Sequence, residues 1–209
     1  QWVIPEFAAE EVRQVAEHTY SPESPGCLIG AVEALLVYMG NHTLPTKGRI
    51  GPFPIAHLEA MNRCLPRPWP VAMKRPMLKS FPNLEGLWLL MGVTGLIRIV
   101  GSGKKYHFEV NEGVAARWRS LSPQNQYASL LEGWMLKGFA DFLEGGAGPF
   151  NGVPILALEN ATTWAGDWAE KPLFSPRDIQ QMTRALGLVS LFGIIEIDFG
   201  EPDEKGKWS

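Results

Sequence analysis

The change of apolar spacing within residues 81–110 constrains the fold more than any other feature of this chain. Its first part has apolar residues three or four positions apart, as on one face of a helix: Leu84, Leu87, Trp88 and Met91. Gly95 then precedes an apolar run, and a Gly-Ser-Gly turn at 101–103 leads into Lys105, where polar and apolar residues begin to alternate. The segment therefore predicts a helix, a strand, a tight turn and a second strand, which is the second half of a winged-helix module.

Helical spacing of apolar residues recurs on both sides of this segment. It predicts helices over residues 5–20, 27–39, 54–65, 113–121 and 122–143. We expect Gly40-Asn41 to end the second of these helices, and a short strand within residues 44–50. Further helices are predicted over residues 153–169 and from Ser175, where Ser-Pro-Arg-Asp is typical of a helix start.

A short internal echo suggests that the architecture is repeated. Residues 95–99 read GLIRI and residues 193–197 read GIIEI, and both follow a predicted helix and precede a polar turn. The predicted fold class is mainly α with small β-hairpins (α+β), built as two winged-helix-like units in tandem. The predicted division is an N-terminal helix and loop at 1–24, unit one at 25–112, and a helical region with unit two at 113–209.

Residues 66–76, which we call the strap, contain four prolines and are expected to be extended rather than helical. The strap carries Arg67, Lys74 and Arg75 around Trp69. One interpretation is a contact with phosphate or with a protein partner. The other is a rigid connector with Trp69 packed into the core.

The charges are segregated along the chain, although the net charge is only −3. Residues 44–119 hold 12 Lys and Arg against 4 acids, a net of +8, whereas residues 1–43 and 120–209 carry −5 and −6. A basic middle segment is typical of a nucleic-acid-binding surface, with a solvated surface as the alternative. The predicted contact residues are Lys74, Arg75, Lys79, Arg98, Lys104 and Lys105.

The helix that precedes the hairpin is a poor candidate for reading base sequence. Its polar residues are only Asn83, Glu85 and Thr94, so we expect contacts to the nucleic-acid backbone and not to base edges. The alternative function is a protein-interaction or scaffolding region. In that case Trp69 and Trp118 are the predicted partner-binding residues.

No catalytic residues, metal ligands or cofactor are predicted. The chain lacks a GxSxG or HExxH motif, and the two cysteines and four histidines show no ligand spacing. It has no run of 18 uncharged apolar residues and no basic, apolar leader. We expect a cytoplasmic location and, since the chain does not begin with Met, a piece of a longer polypeptide.

Three runs resemble one bacterial group over residues 25–140: Lys74-Arg75-Pro76, Lys79-Ser80-Phe81-Pro82-Asn83-Leu84-Glu85-Gly86-Leu87 and Gly95-Leu96-Ile97-Arg98. This group comprises the plasmid ORF-three-like proteins, also called transposon-element passenger proteins. The resemblance implies a bacterial cytoplasmic protein linked to mobile DNA, in which this region precedes a separate C-terminal domain. It implies no active-site residues.

Overall fold

The computed structural model describes residues 13, 19–48, 51–71, 73–103, 105–134, 187–188 and 190–193. Over these residues the fold is mixed α+β, with five helices and one three-stranded antiparallel sheet. The elements in chain order are α1 (Leu28–Asn41), β1 (Leu44–Thr46), α2 (Ile55–Arg63), α3 (Pro82–Val93), β2 (Ile97–Ser102), β3 (Lys105–Val110), α4 (Glu112–Arg119) and α5 (Pro123–Glu132), with a 3-10 turn at Leu78–Ser80 before α3.

The sheet has the order β1-β3-β2, so the last strand lies between the two earlier ones. Leu44 and Ile99 both pair with Phe108, which is buried. Residues on either side of Phe108 in β3, His107 and Glu109, belong to the opposite face. The predicted alternation along β3 is therefore confirmed, although His107, which the sequence places on the exposed face, is half-buried.

The transition from helix to hairpin occurs at Gly95, as predicted. Thr94 N–H still donates to the Leu90 carbonyl, four residues back, whereas Gly95 N–H donates to Gly92, three residues back. Gly95 has a φ of +74°, a left-handed conformation that ends a helix at little cost only for glycine. At the turn, Gly101 has a φ of +126°, and a Cβ there would collide with the Lys105 carbonyl.

The end of α1 differs from the prediction in one detail. Gly40 lies inside the helix, and its last residue is Asn41. The next residue, His42, is extended, with a φ of −137°, so no left-handed glycine is used here. Asn41 donates from Nδ2 to the Val37 carbonyl at 3.0 Å, and His42 donates from Nδ1 to the Tyr38 carbonyl at 2.8 Å, one of the last four carbonyls of the helix.

The helical spacing that predicts α2 places Ile55, Leu58, Met61 and Leu65 on one apolar face, and this prediction is only partly correct. Pro54 precedes the helix as its cap, and Leu58, Met61 and Leu65 are buried as expected. Ile55 is 63% exposed instead. The first turn of α2 therefore extends beyond the core.

One hydrophobic core extends across the described residues, and α3 lies within it. Eight of the twelve residues of α3 are buried, so the helix is enclosed on more sides than a single stripe predicts. Gly187 and Leu188 pack against it: a Cβ on Gly86 would come within 2.9 Å of the Leu188 side chain, and a Cβ on Gly187 would meet Pro82. Tyr127 from α5 donates its hydroxyl to the Phe192 carbonyl at 2.8 Å, which fixes the same segment from another side.

Two helices follow the hairpin, as predicted. Ser122 caps α5 by accepting the Asn125 N–H at 3.3 Å, and Pro123 occupies the first helical position. Trp118 of α4 and Gln126 of α5 exchange side-chain-to-carbonyl hydrogen bonds of 3.3 and 3.2 Å. These bonds join the two helices as a pair.

Several predictions fall outside the described residues. They are most of the helix at 5–20, the end of the helix at 122–143, the helices at 153–169 and from Ser175, and the strand after Gly193. The domain division at 1–24, 25–112 and 113–209 stays a prediction.

Candidate nucleic-acid interface

The described residues of the strap form neither helix nor strand, which agrees with the prediction from its prolines that it is not helical, and both of its ends before Pro76 are mostly exposed. Lys74 and Arg75 are both exposed. Lys79 follows in the 3-10 turn and is also exposed. Between them Pro76 is buried, so the chain is anchored to the core while its cations extend into solvent.

The strap is held at two further points. Its first residues pack on α1, where the Arg67 backbone faces the Cys27 thiol. Burial raises the pKa of that thiol, and the nearby Arg67 charge partly opposes the shift. At the far end, Met77 N–H donates to the Ser80 hydroxyl at 3.2 Å. The strap is therefore held to the rest of the protein near both of its ends.

The cations of the hairpin differ in whether they are paired with a carboxylate. Arg98 lies opposite Glu109 in the sheet and donates to its carboxylate from Nε at 3.3 Å and from Nη2 at 3.2 Å. Its charge is thus largely compensated, although both side chains are exposed. Lys105 is exposed beside the turn, and Lys104 lies outside the described residues. Lys47 is exposed and directly follows Thr46, the partner of Tyr106, so a second cation lies near this end of the sheet.

The cations of the basic segment fall into two groups. Three of them form ion pairs, at Arg63–Glu59, Arg98–Glu109 and Arg119–Glu33. The Glu33 hydrogen bond raises the pKa of Arg119, as expected for a guanidinium beside a carboxylate. Within the part of the chain that the structure describes, a second group is exposed and has no carboxylate partner: Lys47, Arg67, Lys74, Arg75, Lys79, Lys105 and Arg117.

The third helix, α3, has no polar surface that could enter a groove. Asn83 and Glu85 are buried at 2% and 8% exposure. Thr94, which follows the helix, uses its hydroxyl to donate to the Leu90 carbonyl at 2.7 Å. These positions agree with the expectation that this helix does not read bases.

The strap and the hairpin adjoin opposite ends of α3. The strap leads into its first residue, Pro82, and β2 follows its last residue, Val93. A helix of 12 residues is about 18 Å long, from a rise of about 1.5 Å per residue. The five predicted contact residues that the structure describes therefore form two patches and not one cluster.

The two predicted partner-binding tryptophans have different environments. Trp118 is only 6% exposed and its indole N–H is used within the α4–α5 pair, so it is a core residue in this structure. Trp69 is half-buried. Its main chain is held by the side chain of Asn62, which the sequence analysis did not single out.

A second group missed by the sequence analysis joins α1 to α2. His42 stacks on Tyr38 with ring centroids 4.1 Å apart, and the Tyr38 hydroxyl lies 2.9 Å from His57 Nδ1. His42 Nδ1 also donates to the Tyr38 carbonyl at 2.8 Å. These residues share no spacing pattern in the sequence, so only the packing of the two helices reveals the cluster.

A cleft of about 370 Å³ lies between the C-terminal end of α3 and helices α4 and α5. Its walls are mainly apolar, and Arg117 and Glu132 are its charged residues. The two hydroxyls on its walls, those of Thr94 and Ser129, donate to main-chain carbonyls. Both hydroxyls thus bond within their own helical segments, and neither is held beside a general base as a catalytic nucleophile would be.

Two further features are absent from the part of the chain that the structure describes. No group of three or more His, Cys, Asp or Glu side chains is arranged to hold a metal ion. None of the helices combines the length and the apolar character needed to cross a membrane.

Comparison with models of known protein families, with curated proteins and with solved structures finds no significant match. The resemblance to the plasmid ORF-three-like proteins therefore stays a prediction, and the functional argument depends on the geometry alone.

Proposed function

We propose that residues 28–110 form a winged-helix-like unit that binds the backbone of nucleic acid without reading base sequence. The order of elements supports this proposal: helix, strand, helix, helix, and then a hairpin whose second strand pairs with β1. Such an order is that of a winged-helix module, with α3 as the third helix and residues 101–105 as the wing.

The backbone geometry at Gly193 supports a second unit in tandem. Phe192 N–H donates to the Leu188 carbonyl and Gly193 N–H to the Ser190 carbonyl, the same pattern of four and three residues found at Thr94 and Gly95. The φ of Gly193 is +73°, against +74° at Gly95. The sequence echo at these glycines thus extends to their conformation.

The observation that carries the proposed activity is the exposed, unpaired charge of the strap and the wing beside a buried α3. Lys74, Arg75, Lys79 and Lys105 are available to phosphates, whereas α3 cannot present side chains to base edges. Contacts of this kind give affinity that depends on salt and not on sequence. Arg98 is expected to contribute less, because it already pairs with Glu109.

A salt-titrated binding assay with duplex and single-stranded DNA tests the proposal. Each lost phosphate contact should lower the slope of log K against log salt by about one. The variant Lys74→Glu with Arg75→Glu and the variant Lys104→Glu with Lys105→Glu should each weaken binding and lower this slope. Arg63→Glu, which reverses a charge already paired within α2, is the matched control. Unchanged binding in both double variants would refute the proposed surface.

A protein-interaction or scaffolding role is the second candidate. Met73 and Met77 favour it, because they are 59% and 51% exposed within or beside the strap. Flexible, polarizable thioethers suit an adaptable protein contact. Its partner would be another protein or a further domain of the same polypeptide. If this candidate is correct, Met73→Ser with Met77→Ser abolishes the interaction with the protein partner. In that case neither the wild-type protein nor the charge-reversal variants bind DNA.

A cytoplasmic location and a link to mobile DNA belong to the same proposal, through the resemblance at residues 74–98. Co-purification of the full-length protein with DNA from its source cell would support both.

A further inference from the structure

We propose that Asn62 is the positioning residue of the strap, holding it in the conformation that presents Lys74 and Arg75. This inference rests on the proposed function, because it concerns how the same surface is prepared for phosphate. Asn62 itself is 7% exposed and does not reach the surface. Its effect on binding is therefore exerted through the strap backbone.

The side chain of Asn62 binds the main chain of Trp69 at both of its polar groups. Asn62 Nδ2 donates to the Trp69 carbonyl at 2.8 Å, and Trp69 N–H donates to Asn62 Oδ1 at 2.9 Å. One amide group thus supplies both the donor and the acceptor that a neighbouring strand would supply. We call this paired contact the clamp.

The clamp is connected to α3 as well as to α2. Asn83, in the first turn of α3, donates from Nδ2 to Asn62 Oδ1 at 3.3 Å. Asn83 Oδ1 accepts the Leu84 N–H at 2.9 Å, which fixes the orientation of its amide. Asn83 is itself only 2% exposed, so the network is enclosed by the core. The strap is therefore fixed to α2 and α3 by a buried network of hydrogen bonds in which the orientation of both amides is set.

The composition of the strap explains why this contact is needed. Proline has no N–H, so the Trp69 N–H is the only main-chain donor among residues 68–70. A neighbouring strand could not form a ladder with this segment, because prolines flank Trp69 on both sides. A side-chain amide can still hold the segment, because it needs the N–H and the carbonyl of only one residue.

The exposed cations lie between the clamp and a second fixed point. Trp69 is held by the clamp, and Pro76 is buried seven positions later, followed by the Ser80–Met77 hydrogen bond. Lys74 and Arg75 belong to the span between these points. A span fixed at both ends loses less conformational entropy on binding than a free loop does. Release of one end should therefore weaken binding although every cation is retained.

Two substitutions test this proposal. Asn62→Ala removes both hydrogen bonds of the clamp. Asn62→Leu also removes them but keeps a side chain of similar size, so it avoids the cavity that alanine would leave and serves as the second variant if Asn62→Ala fails to fold. Asn41→Ala is the matched control, because Asn41 is exposed and bonds only within α1.

The expected result has three parts. The Kd for DNA rises roughly tenfold in Asn62→Leu, as expected for the ordering of a few rotamer-rich groups on binding. The slope of log K against log salt stays that of the wild type, because the number of cations is unchanged. Amide exchange at Trp69 becomes faster, whereas exchange in α1 does not change.

The readouts separate failure of this inference from failure of the proposed function. An unchanged Kd together with faster exchange at Trp69 overturns Asn62 as a positioning residue. Unchanged exchange at Trp69 overturns the clamp itself. If the wild-type protein shows no salt-dependent binding, both the proposed function and the positioning role of Asn62 are wrong. The exchange rate at Trp69 still tests whether the clamp exists.

Discussion

The backbones of Gly26 and Gly193 meet directly, and both residues have positive φ values, of +61° and +73°. A Cβ on either glycine would collide with main-chain atoms of the other. Cys27 N–H donates to the Leu191 carbonyl at 3.1 Å beside this contact. The start of α1 and residues 190–193 are therefore in contact through the main chain, with no room for a side chain.

Gly26→Ala should destabilise the protein strongly. Its Cβ would meet the main chain of Leu191 and Gly193, and alanine is also strained at a φ of +61°. We expect a loss of roughly 2–4 kcal/mol, in the range of overpacking with added backbone strain. Urea unfolding of the purified variant measures this loss.

Gly40→Ala is the control for that experiment. Gly40 lies inside α1 with nothing within 4 Å of an added Cβ. Alanine there should stabilise the helix by about 0.5–1 kcal/mol. Equal effects of the two substitutions would contradict the packing described for Gly26.

Tyr127 should make stability depend on pH in the alkaline range. Burial raises the pKa of Tyr127 to about 12, with a smaller contribution from Tyr20. An exposed tyrosine in the unfolded chain has a pKa of about 10. The folded state therefore favours the neutral phenol, and this contribution is fully present below about pH 10 and is lost as pH rises through about 12.

The variant Tyr127→Phe isolates this contribution. At pH 7 it should lose about 1 kcal/mol, because the hydrogen bond to the Phe192 carbonyl is removed. Between pH 8 and pH 11 its free energy of unfolding should fall less than that of the wild type. Parallel pH profiles for the two proteins would show that Tyr127 does not titrate as described.

Glu109→Gln should strengthen binding to DNA. The substitution keeps the shape of the side chain but frees the charge of Arg98, which now bonds both carboxylate oxygens. We expect tighter binding and a salt slope steeper by about one, since one more cation becomes available. The stability cost should stay below about 1 kcal/mol, because the pair is exposed. Weaker binding in this variant would contradict the assignment of Arg98 to the surface.

Ser122→Ala should destabilise the α4–α5 pair by about 1 kcal/mol, the usual effect of losing a helix cap. Ser122 accepts the Asn125 N–H, and no acidic residue lies in the first turn of α5 to replace it. Ser122→Asp should keep wild-type stability, because its carboxylate can accept the same N–H and interacts favourably with the helix dipole. Thermal unfolding of the three proteins distinguishes these outcomes.

The parts of the fold that could be predicted from the sequence depend on local chemistry. Gly95 and the 101–103 turn were correctly placed because positive φ values and a change from helical to alternating spacing leave a signal in neighbouring residues. The same is true of Ser122-Pro123 at the start of α5. The absence of helix in the described part of the strap followed from its prolines in the same manner.

The parts that could not be predicted depend on contacts between distant residues. Nothing near Asn62 in the sequence indicates that its amide binds the Trp69 main chain, since an asparagine inside a helix has no fixed partner. The pairing of Arg98 with Glu109 needed the strand register. Trp118 was predicted at a partner surface because tryptophans are common there, whereas its indole is buried between α4 and α5.

The contact at Gly26 also bears on the order in which the chain can fold during synthesis. Cys27 leaves the ribosome well before its partner Leu191, because Leu191 lies far later in the chain. Until then Gly86 and Pro82 lack the residues that cover them, and an apolar part of α3 stays accessible. A nascent chain stalled before residue 187 should therefore bind a hydrophobic dye or a chaperone, and one released beyond residue 193 should not.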